Sequence, residues 1–172
     1  MFIPVLIDKI EKETPGLFIC GAYQFLGKYY KTADGKELKG LGVFPLFTEN
    51  PGEGVQRLIG NVVVKPVIEG LAQDLVGFEN HGGRTYLDDK SMALGEVIDG
   101  HGNNAKDRTE GIVYKNSFGS YLHGPILPKN PQLADLLLTL ALEQKYNKKF
   151  HLEPLDDSIE QKARETVMKK LI

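Results

Sequence analysis

The sequence predicts one domain of the α/β class. Short apolar segments separated by Gly, Asn and Asp turns, the pattern of β-strands, run from about Leu41 to Leu122. Helical spacing of apolar residues comes before them, over 1–13, and after them, from Asn130 onward. The chain has 172 residues, 41% hydrophobic and 26% charged, which is typical of a globular domain. We therefore expect one domain over 1–172, whose part 148–172 is a charged tail or helix.

The composition argues against several classes of protein. Twenty-one basic and 23 acidic side chains give a formal net charge of −2, whereas a general nucleic-acid binder carries a clustered basic excess. No apolar run approaches the ~20 residues of a membrane span. The opening apolar run meets Asp8 too early for a signal peptide. A single cysteine excludes an internal disulfide and a multi-cysteine metal site, so we expect a protein of the reducing cytoplasm.

The amino-terminal segment predicts a helix, a strand and a second helix. The helix over 1–13 is expected to end at Pro15-Gly16. The run 17–20 is apolar without alternation, as in a strand covered on both faces. Gly21-Ala22 then turns the chain into a helix predicted over 23–30.

The rest of the chain predicts a series of strands and then two helices. The predicted strands are 42–44, 59–67, 75–79, 95–99, 111–115 and 117–122. Asn130-Pro131 predicts a helix start, with Asn as N-cap and Pro in the first turn. Four leucines line one face of that helix and are expected in the core: Leu133, Leu136, Leu137 and Leu140. A charged helix with a weak apolar stripe is expected from Asp157-Ser158 towards Lys170.

Cys20 stands where an apolar strand passes through small residues into a helix, the geometry of a nucleophile elbow. Such a turn lifts the side chain above the end of the sheet. The first N–H groups of the helix are expected to lower the thiol pKa and to favour the thiolate. The N–H of Gly21 is placed to hold a developing oxyanion. A buried structural cysteine is the alternative for such a pattern when it stands alone.

Two later segments are candidates for the same site. His123 follows a predicted strand where a loop begins, and it can serve as the base that activates Cys20 or merely hydrogen-bond its loop. Segment 77–85, Gly-Phe-Glu-Asn-His-Gly-Gly-Arg-Thr, runs from a strand into a glycine-rich loop. Its backbone can approach a small ligand closely, although an ordinary turn has the same composition.

The remaining histidines offer weaker alternatives. A zinc site formed by Cys20, His81 and His123 suits the metal chemically, but the elbow context favours a nucleophile. His101 and His151 lie among polar and charged neighbours, and we expect them to be solvated.

Taken together, three segments resemble one enzyme family. Cys20-Gly-Ala-Tyr-Gln24, segment 77–85 and Gly119-Ser-Tyr-Leu-His-Gly124 look like those of class I glutamine amidotransferases of the cobyric acid synthase-like branch. The resemblance covers about residues 9–147 and is strongest to the glutaminase subunits of lipid II isoglutaminyl synthases. The wider similarity lies in 24–31, 57–64 and 119–135. It implies a flavodoxin-like sheet with flanking helices and a glutaminase activity.

The resemblance assigns roles to the matching residues. Cys20 is implied as the nucleophile, with His123 as its base. The residues implied in binding the substrate glutamine are Gln24, Arg57, Asn80, His81 and Gly82. No metal or cofactor is implied for this chain, and ATP and Mg²⁺ are expected only in a partner ligase.

The sequence also departs from the family pattern. Ala22 stands where the elbow normally has Gly, and Pro125 stands where the wider class has a Glu two residues after the histidine. The family domain begins upstream of Met1, with further strands and a Gly-rich loop that supplies a second oxyanion donor. The resemblance therefore predicts a domain that is truncated at its amino terminus.

The implied function is that of one subunit of a heterodimer. Because the sequence has no phosphate-binding loop, ATP-driven amidation is expected in a Mur-ligase-like partner. That partner would amidate the D-glutamate of the lipid II stem peptide during peptidoglycan synthesis. The alternatives are the amidotransferase part of a cobyric acid or cobyrinate diamide synthase, in cobalamin synthesis, and a truncated module that binds a partner without catalysis.

Overall fold

Helices flank three small β-sheets in the computed structural model, which describes residues 2–169. The helices are α1 (Phe2–Glu11), α2 (Gly21–Leu26), α3 (Ile126–Lys129), α4 (Pro131–Tyr146) and α5 (Ser158–Met168). The strands are β1 (Gly16–Ile19), β2 (Tyr29–Lys31), β3 (Glu37–Lys39), β4 (Leu46–Glu49), β5 (Leu58–Pro66), β6 (Leu75–His81), β7 (Arg84–Leu87), β8 (Gly95–Asp99), β9 (Thr109–Glu110), β10 (Ile112–Tyr114) and β11 (Ser117–Ser120). The predicted α/β class is confirmed.

The first sheet carries the ends of two parallel strands side by side. Its strand order is β1-β11-β10, with β1 parallel and β10 antiparallel to β11. The register pairs Ile19 with Ser120, so both strands finish at the same edge. β1 is an edge strand of this sheet, and its four residues are half-buried. The prediction of a strand covered on both faces was therefore wrong.

The chain forms two further sheets. One has the order β3-β2-β4-β7 and the other the order β6-β5-β8-β9. The long β5–β6 hairpin pairs Leu58 with His81 and Val64 with Leu75. Within residues 2–169, β2 with β4 is the second parallel pair, and the remaining ladders are antiparallel.

Several predicted boundaries were wrong around α2. The helix predicted over 23–30 ends at Leu26, because buried Gly27 packs against β4: a Cβ there would lie 3.0 Å from the carbonyl oxygen of Leu46. Tyr29 to Lys31 then form β2. The strand predicted over 42–44 does not form, since the N–H groups of Val43 and Phe44 both donate to the carbonyl of Leu26, at 2.9 Å.

The carboxy-terminal helices meet most expectations. Leu133 is buried, and Leu136, Leu137 and Leu140 pack against the same core, as predicted. Asn130 occupies the N-cap position of α4, but its side chain makes no cap. Its amide group instead pairs with the N–H and carbonyl of Val76, both at 2.8 Å, and so fastens α4 to β6.

The ends of the chain add little to the site. α5 begins at Ser158, as predicted, and Ile159 of its weak apolar stripe is exposed. Lys170, where that helix was expected to finish, and Met1, in the first predicted helix, lie outside the described residues. Over 2–169, the helices lack the length and apolar character needed to cross a bilayer.

Gly77 of β6 provides a test of how tightly the third sheet packs against the segment before His123. A Cβ at Gly77 would lie 2.7 Å from Leu122 Cδ2 and 3.2 Å from its Cα. We expect Gly77→Ala to lower the free energy of unfolding by about 1–3 kcal/mol, the usual cost of overpacking. Gly60→Ala in β5 is the matched control, because a Cβ there has no heavy atom within 4 Å and the change should stay within about 0.5 kcal/mol. Urea denaturation measures both, and equal effects would contradict the packing argument.

Candidate active site

Cys20 has the backbone geometry of an elbow. It follows β1 directly, precedes α2, and has φ 53° and ψ −107°. A positive φ is uncommon for a residue with a Cβ and is strained, so the surrounding structure must hold it. The N–H of Cys20 donates to the carbonyl of Ser120 at 2.9 Å, which continues the pairing of β1 with β11 past the last strand residue.

The thiol is held as a neutral group. Partial burial raises the pKa of Cys20, while a hydrogen bond from the N–H of Gly21 and the positive charge of Arg57 act in the opposite direction. The position of Cys20 ahead of a helix predicted a lowered pKa, and this prediction was wrong in direction. α2 has only six residues and its dipole does not outweigh desolvation. A base is therefore needed to generate the thiolate.

His123 lies just beyond the end of β11, at the edge where Cys20 follows β1. Its Nδ1 is 2.6 Å from the carbonyl oxygen of Tyr121 and 3.1 Å from that of Phe78. Because carbonyl oxygens only accept hydrogen bonds, Nδ1 carries the hydrogen and Nε2 is left as the basic nitrogen. Among residues 2–169, no carboxylate hydrogen-bonds this ring, so backbone carbonyls orient it.

Arg57, Asn80 and Gly82 lie together. The exposed guanidinium of Arg57 donates from Nε to Asn80 Oδ1 and from Nη2 to Asn80 O, both at 2.9 Å. A Cβ at Gly82 would lie 3.3 Å from Arg57 Nη1, so the missing side chain leaves room for the guanidinium. The positive charge of Arg57 acts to lower the pKa of Cys20, less strongly than burial raises it.

Gln24 and His81 lie deeper than the sequence suggested. Gln24 is half-buried, and its Nε2 donates to the hydroxyl of Tyr121 at 2.8 Å. His81 is 1% exposed, stacks on the ring of Tyr121 with centroids 3.5 Å apart, and bonds the carbonyl of Gly83 through Nδ1. His81 is therefore too deeply buried to contact a substrate, contrary to the prediction. Its ring instead supports the loop at Gly83.

A small cleft opens beside α2. It has a volume of about 140 Å³ and is lined by Gly21, Gln24, Phe25, Tyr30, Leu38, Lys39 and Gly40. A hollow of about 190 Å³ near Asp99, His101 and Arg108 holds none of the predicted site residues. His101 and His151 are exposed, as expected.

The structure does not support the zinc alternative. In the described part of the chain, no three His, Cys, Asp or Glu residues are placed to share a metal ion.

Sequence reasoning missed two buried charged residues next to the site. Arg84 donates to the carbonyls of Gly82 and Gln56, at 2.9 and 2.8 Å, and so braces the loops that carry Asn80 and Arg57. Glu110 is fully buried and accepts hydrogen bonds from Ser120 Oγ and Tyr121 N, at 2.7 and 2.8 Å. The spacing of apolar residues does not reveal that either side chain is buried, because their hydrogen-bond partners come from distant segments. The one available signal was the presence of Arg84 near the end of segment 77–85.

Comparison with known proteins identifies the family. Residues 4–131 match the CobB/CobQ-like glutamine amidotransferase domain. The chain belongs to this family. Within it, the chain is 48% identical over 163 residues to the lipid II isoglutaminyl synthase (glutamine-hydrolyzing) subunit GatD of Staphylococcus aureus, which covers 95% of this chain and 63% of that protein. Identity to the same subunit of Streptococcus pneumoniae is 43% over 156 residues, covering 91% and 58%.

The comparisons also found more distant similarities. A probable cobyric acid synthase of Methanothermobacter thermautotrophicus is 32% identical over 127 residues, which cover 69% of this chain and 25% of that protein. Among solved structures, a glutamine amidotransferase from Thermotoga maritima has a TM-score of 0.45 and 17% identity, covering 97% of this chain and 63% of its own. The chain thus spans about three fifths of the length of the two GatD subunits.

The charge of Arg57 provides a test of the electrostatics at Cys20. A cation favours the thiolate, so Arg57→Gln should raise the pKa of Cys20 further and move its alkylation by iodoacetamide to higher pH. Arg57→Lys keeps the charge and should stay closer to the wild type.

Arg108→Gln is the control for this test, since Arg108 is an exposed arginine paired with Glu96 in β8. Alkylation rates measured across pH decide the question. An unchanged profile in Arg57→Gln would show that its charge does not reach the thiol.

Proposed function

We propose that this chain is the glutaminase part of an amidotransferase and that it hydrolyses glutamine to glutamate and ammonia through a thioester on Cys20. The observation that carries the proposal is the placement of Cys20 and His123 just past the ends of two neighbouring parallel strands. Family membership and the glutamine-hydrolyzing relatives support the same reaction.

The first half of the reaction uses the basic nitrogen of His123. Nε2 takes the proton of the Cys20 thiol, and the sulfur attacks the γ-amide carbon of glutamine. The raised pKa of Cys20 makes this proton transfer necessary at neutral pH. The tetrahedral intermediate collapses when the imidazolium gives its proton to the departing nitrogen, which leaves as ammonia while the γ-glutamyl group stays on sulfur.

The second half returns the enzyme to its starting state. His123 takes a proton from water, the resulting hydroxide attacks the thioester carbon, and glutamate leaves as the thiol recovers its proton. The N–H of Gly21, the residue directly after the nucleophile, is the proposed donor for the oxyanion of both intermediates.

Substrate binding falls to Arg57 and its neighbours. A guanidinium binds a carboxylate with two parallel hydrogen bonds, so Arg57 suits the α-carboxylate of glutamine. Its bonds to Asn80 hold it in place before the substrate arrives. Gln24, at the wall of the small cleft, is the second polar contact.

The ammonia is proposed to pass to a Mur-ligase-like partner in the cytoplasm, where ATP and Mg²⁺ activate the D-glutamate carboxylate of the lipid II stem peptide. Two observations support this acceptor. The relatives at 48% and 43% identity are subunits of lipid II isoglutaminyl synthases, whereas the cobyric acid synthase relative is 32% identical over a shorter stretch.

Labelling of Cys20 tests the nucleophile. The glutamine analogue 6-diazo-5-oxo-norleucine should attach once per chain to Cys20 and release no label on denaturation, and Cys20→Ser should take none. A folded wild-type protein that stays unlabelled would contradict the assignment of Cys20 as the nucleophile. It would favour a module that binds a partner without catalysis.

Glutamate release tests the base. His123→Gln should lower kcat by roughly 10²–10⁴-fold, the usual contribution of general acid–base catalysis. His151→Gln is the matched control, because His151 is exposed and belongs to the segment between α4 and α5. Equal kcat values for the two variants would show that His123 is not the base. Both are measured with and without a candidate ligase.

Arg57→Lys tests substrate binding. Lysine keeps the charge but loses the two-pronged contact, and one charge-assisted hydrogen bond is worth about 1.5–3 kcal/mol. The KM for glutamine should therefore rise roughly tenfold or more, with kcat and the melting temperature little changed. An unchanged KM would contradict the carboxylate contact.

A further inference from the structure

Two successive peptide carbonyls hold the two reacting residues. The carbonyl of Ser120 accepts the N–H of Cys20 at 2.9 Å, and the carbonyl of Tyr121 accepts Nδ1–H of His123 at 2.6 Å. A shift of the backbone at Ser120 and Tyr121 therefore moves the thiol and the imidazole relative to each other.

Glu110 fixes this same dipeptide from the opposite side. Its Oε1 accepts from Ser120 Oγ at 2.7 Å and from Tyr121 N at 2.8 Å. The Ser120 hydroxyl in turn accepts the N–H of Leu122 at 2.9 Å. The other carboxyl oxygen, Oε2, is buried and has no partner among the described residues. Oε1 of Glu110 thus holds the backbone in place at Ser120 and Tyr121 directly, and at Leu122 through the Ser120 hydroxyl.

We propose that Glu110 is a positioning residue for the Cys20–His123 pair, acting through the carbonyls of Ser120 and Tyr121. The proposal rests on the glutaminase function proposed above. Glu110 touches neither reacting side chain, so its effect is on their alignment.

The environment of Glu110 favours a role as acceptor over a role as charge. Burial, and to a lesser degree the nearby carboxylate of Glu79 in β6, raise the pKa of Glu110 to about 7. The groups that face it are Ser120, Tyr121 and the N–H of Gly111, Tyr23 of α2, and Glu79. Below the raised pKa the carboxyl becomes neutral. A proton on the unpartnered Oε2 leaves both bonds at Oε1 intact, so alignment should survive protonation.

Glutamine and alanine at position 110 separate the two roles. Glu110→Gln keeps an acceptor oxygen and removes the charge, whereas Glu110→Ala removes both. We expect Glu110→Ala to lower kcat on the order of 10²-fold with KM for glutamine nearly unchanged, because small misplacements of reacting groups have effects of this size. Glu110→Gln should recover most of that loss. Alkylation of Cys20 by iodoacetamide should shift to higher pH in Glu110→Ala alone, since a misaligned His123 no longer takes the thiol proton.

Glu79→Gln is the matched control for loss of a buried carboxylate. Glu79 accepts the N–H groups of His101 and Gly102, at 2.7 and 2.9 Å, and so braces a different loop. Its alkylation profile should follow the wild type. If Glu110→Ala and Glu79→Gln shift the profile and kcat equally, or if Glu110→Gln is as impaired as Glu110→Ala, the positioning role is wrong.

Ser120→Ala covers the case in which Glu110→Ala does not fold. It removes one of the two donors to Oε1 and leaves the backbone bond of Tyr121, so an intermediate shift of the alkylation profile is expected and no shift overturns the proposal. The failure of the proposed function remains distinguishable. A wild-type protein that releases no glutamate contradicts the glutaminase proposal, while the alkylation profiles still decide whether Glu110 aligns Cys20 with His123.

Discussion

The parallel pairing of β1 with β11 is the constraint on which the candidate site depends. It places Cys20 and His123 at one edge of the sheet, although they are far apart in the sequence. Register matters as much as pairing, because a shift of one residue would turn every side chain of β1 to the opposite face. The bond from Cys20 N to Ser120 O extends this register into the elbow, which helps to hold the positive φ of Cys20.

The chemistry of the site follows from a division of tasks between backbone and side chains. Burial keeps the thiol protonated, so reactivity depends on the base rather than on the short helix behind the cysteine. Carbonyls of Tyr121 and Phe78 orient that base, a task that a carboxylate often performs. A neutral carbonyl stabilises the imidazolium less than a carboxylate does. The rate of proton transfer therefore depends more on how well His123 is aligned with Cys20. The buried Glu110 acts on that alignment.

Local patterns predicted the elements, and tertiary contacts decided the rest. The apolar run before Cys20, the small residues after it and the strand before His123 are local signals, and each led to the correct element. The end of α2 at Leu26 was not predictable, since it results from the close approach of Gly27 to β4. The burial of His81 and the role of Glu110 were hidden for the same reason: their partners come from other sheets, and one sequence does not reveal which strands are neighbours.

Tyr121 connects the three sheets beneath the site. It follows β11 of the first sheet, its hydroxyl bonds Thr85 of β7 in the second at 2.6 Å, and its ring stacks on His81 of β6 in the third. The hydroxyl also accepts from Gln24 of α2, and Thr85 continues the chain of bonds to Thr48 of β4 at 2.8 Å. A buried polar network of this kind costs free energy unless all its members are hydrogen-bonded. It therefore favours one arrangement of the sheets over arrangements in which one sheet is shifted along another. Because the same residue supplies the carbonyl that orients His123, the packing that joins the sheets also fixes the direction of the proposed base.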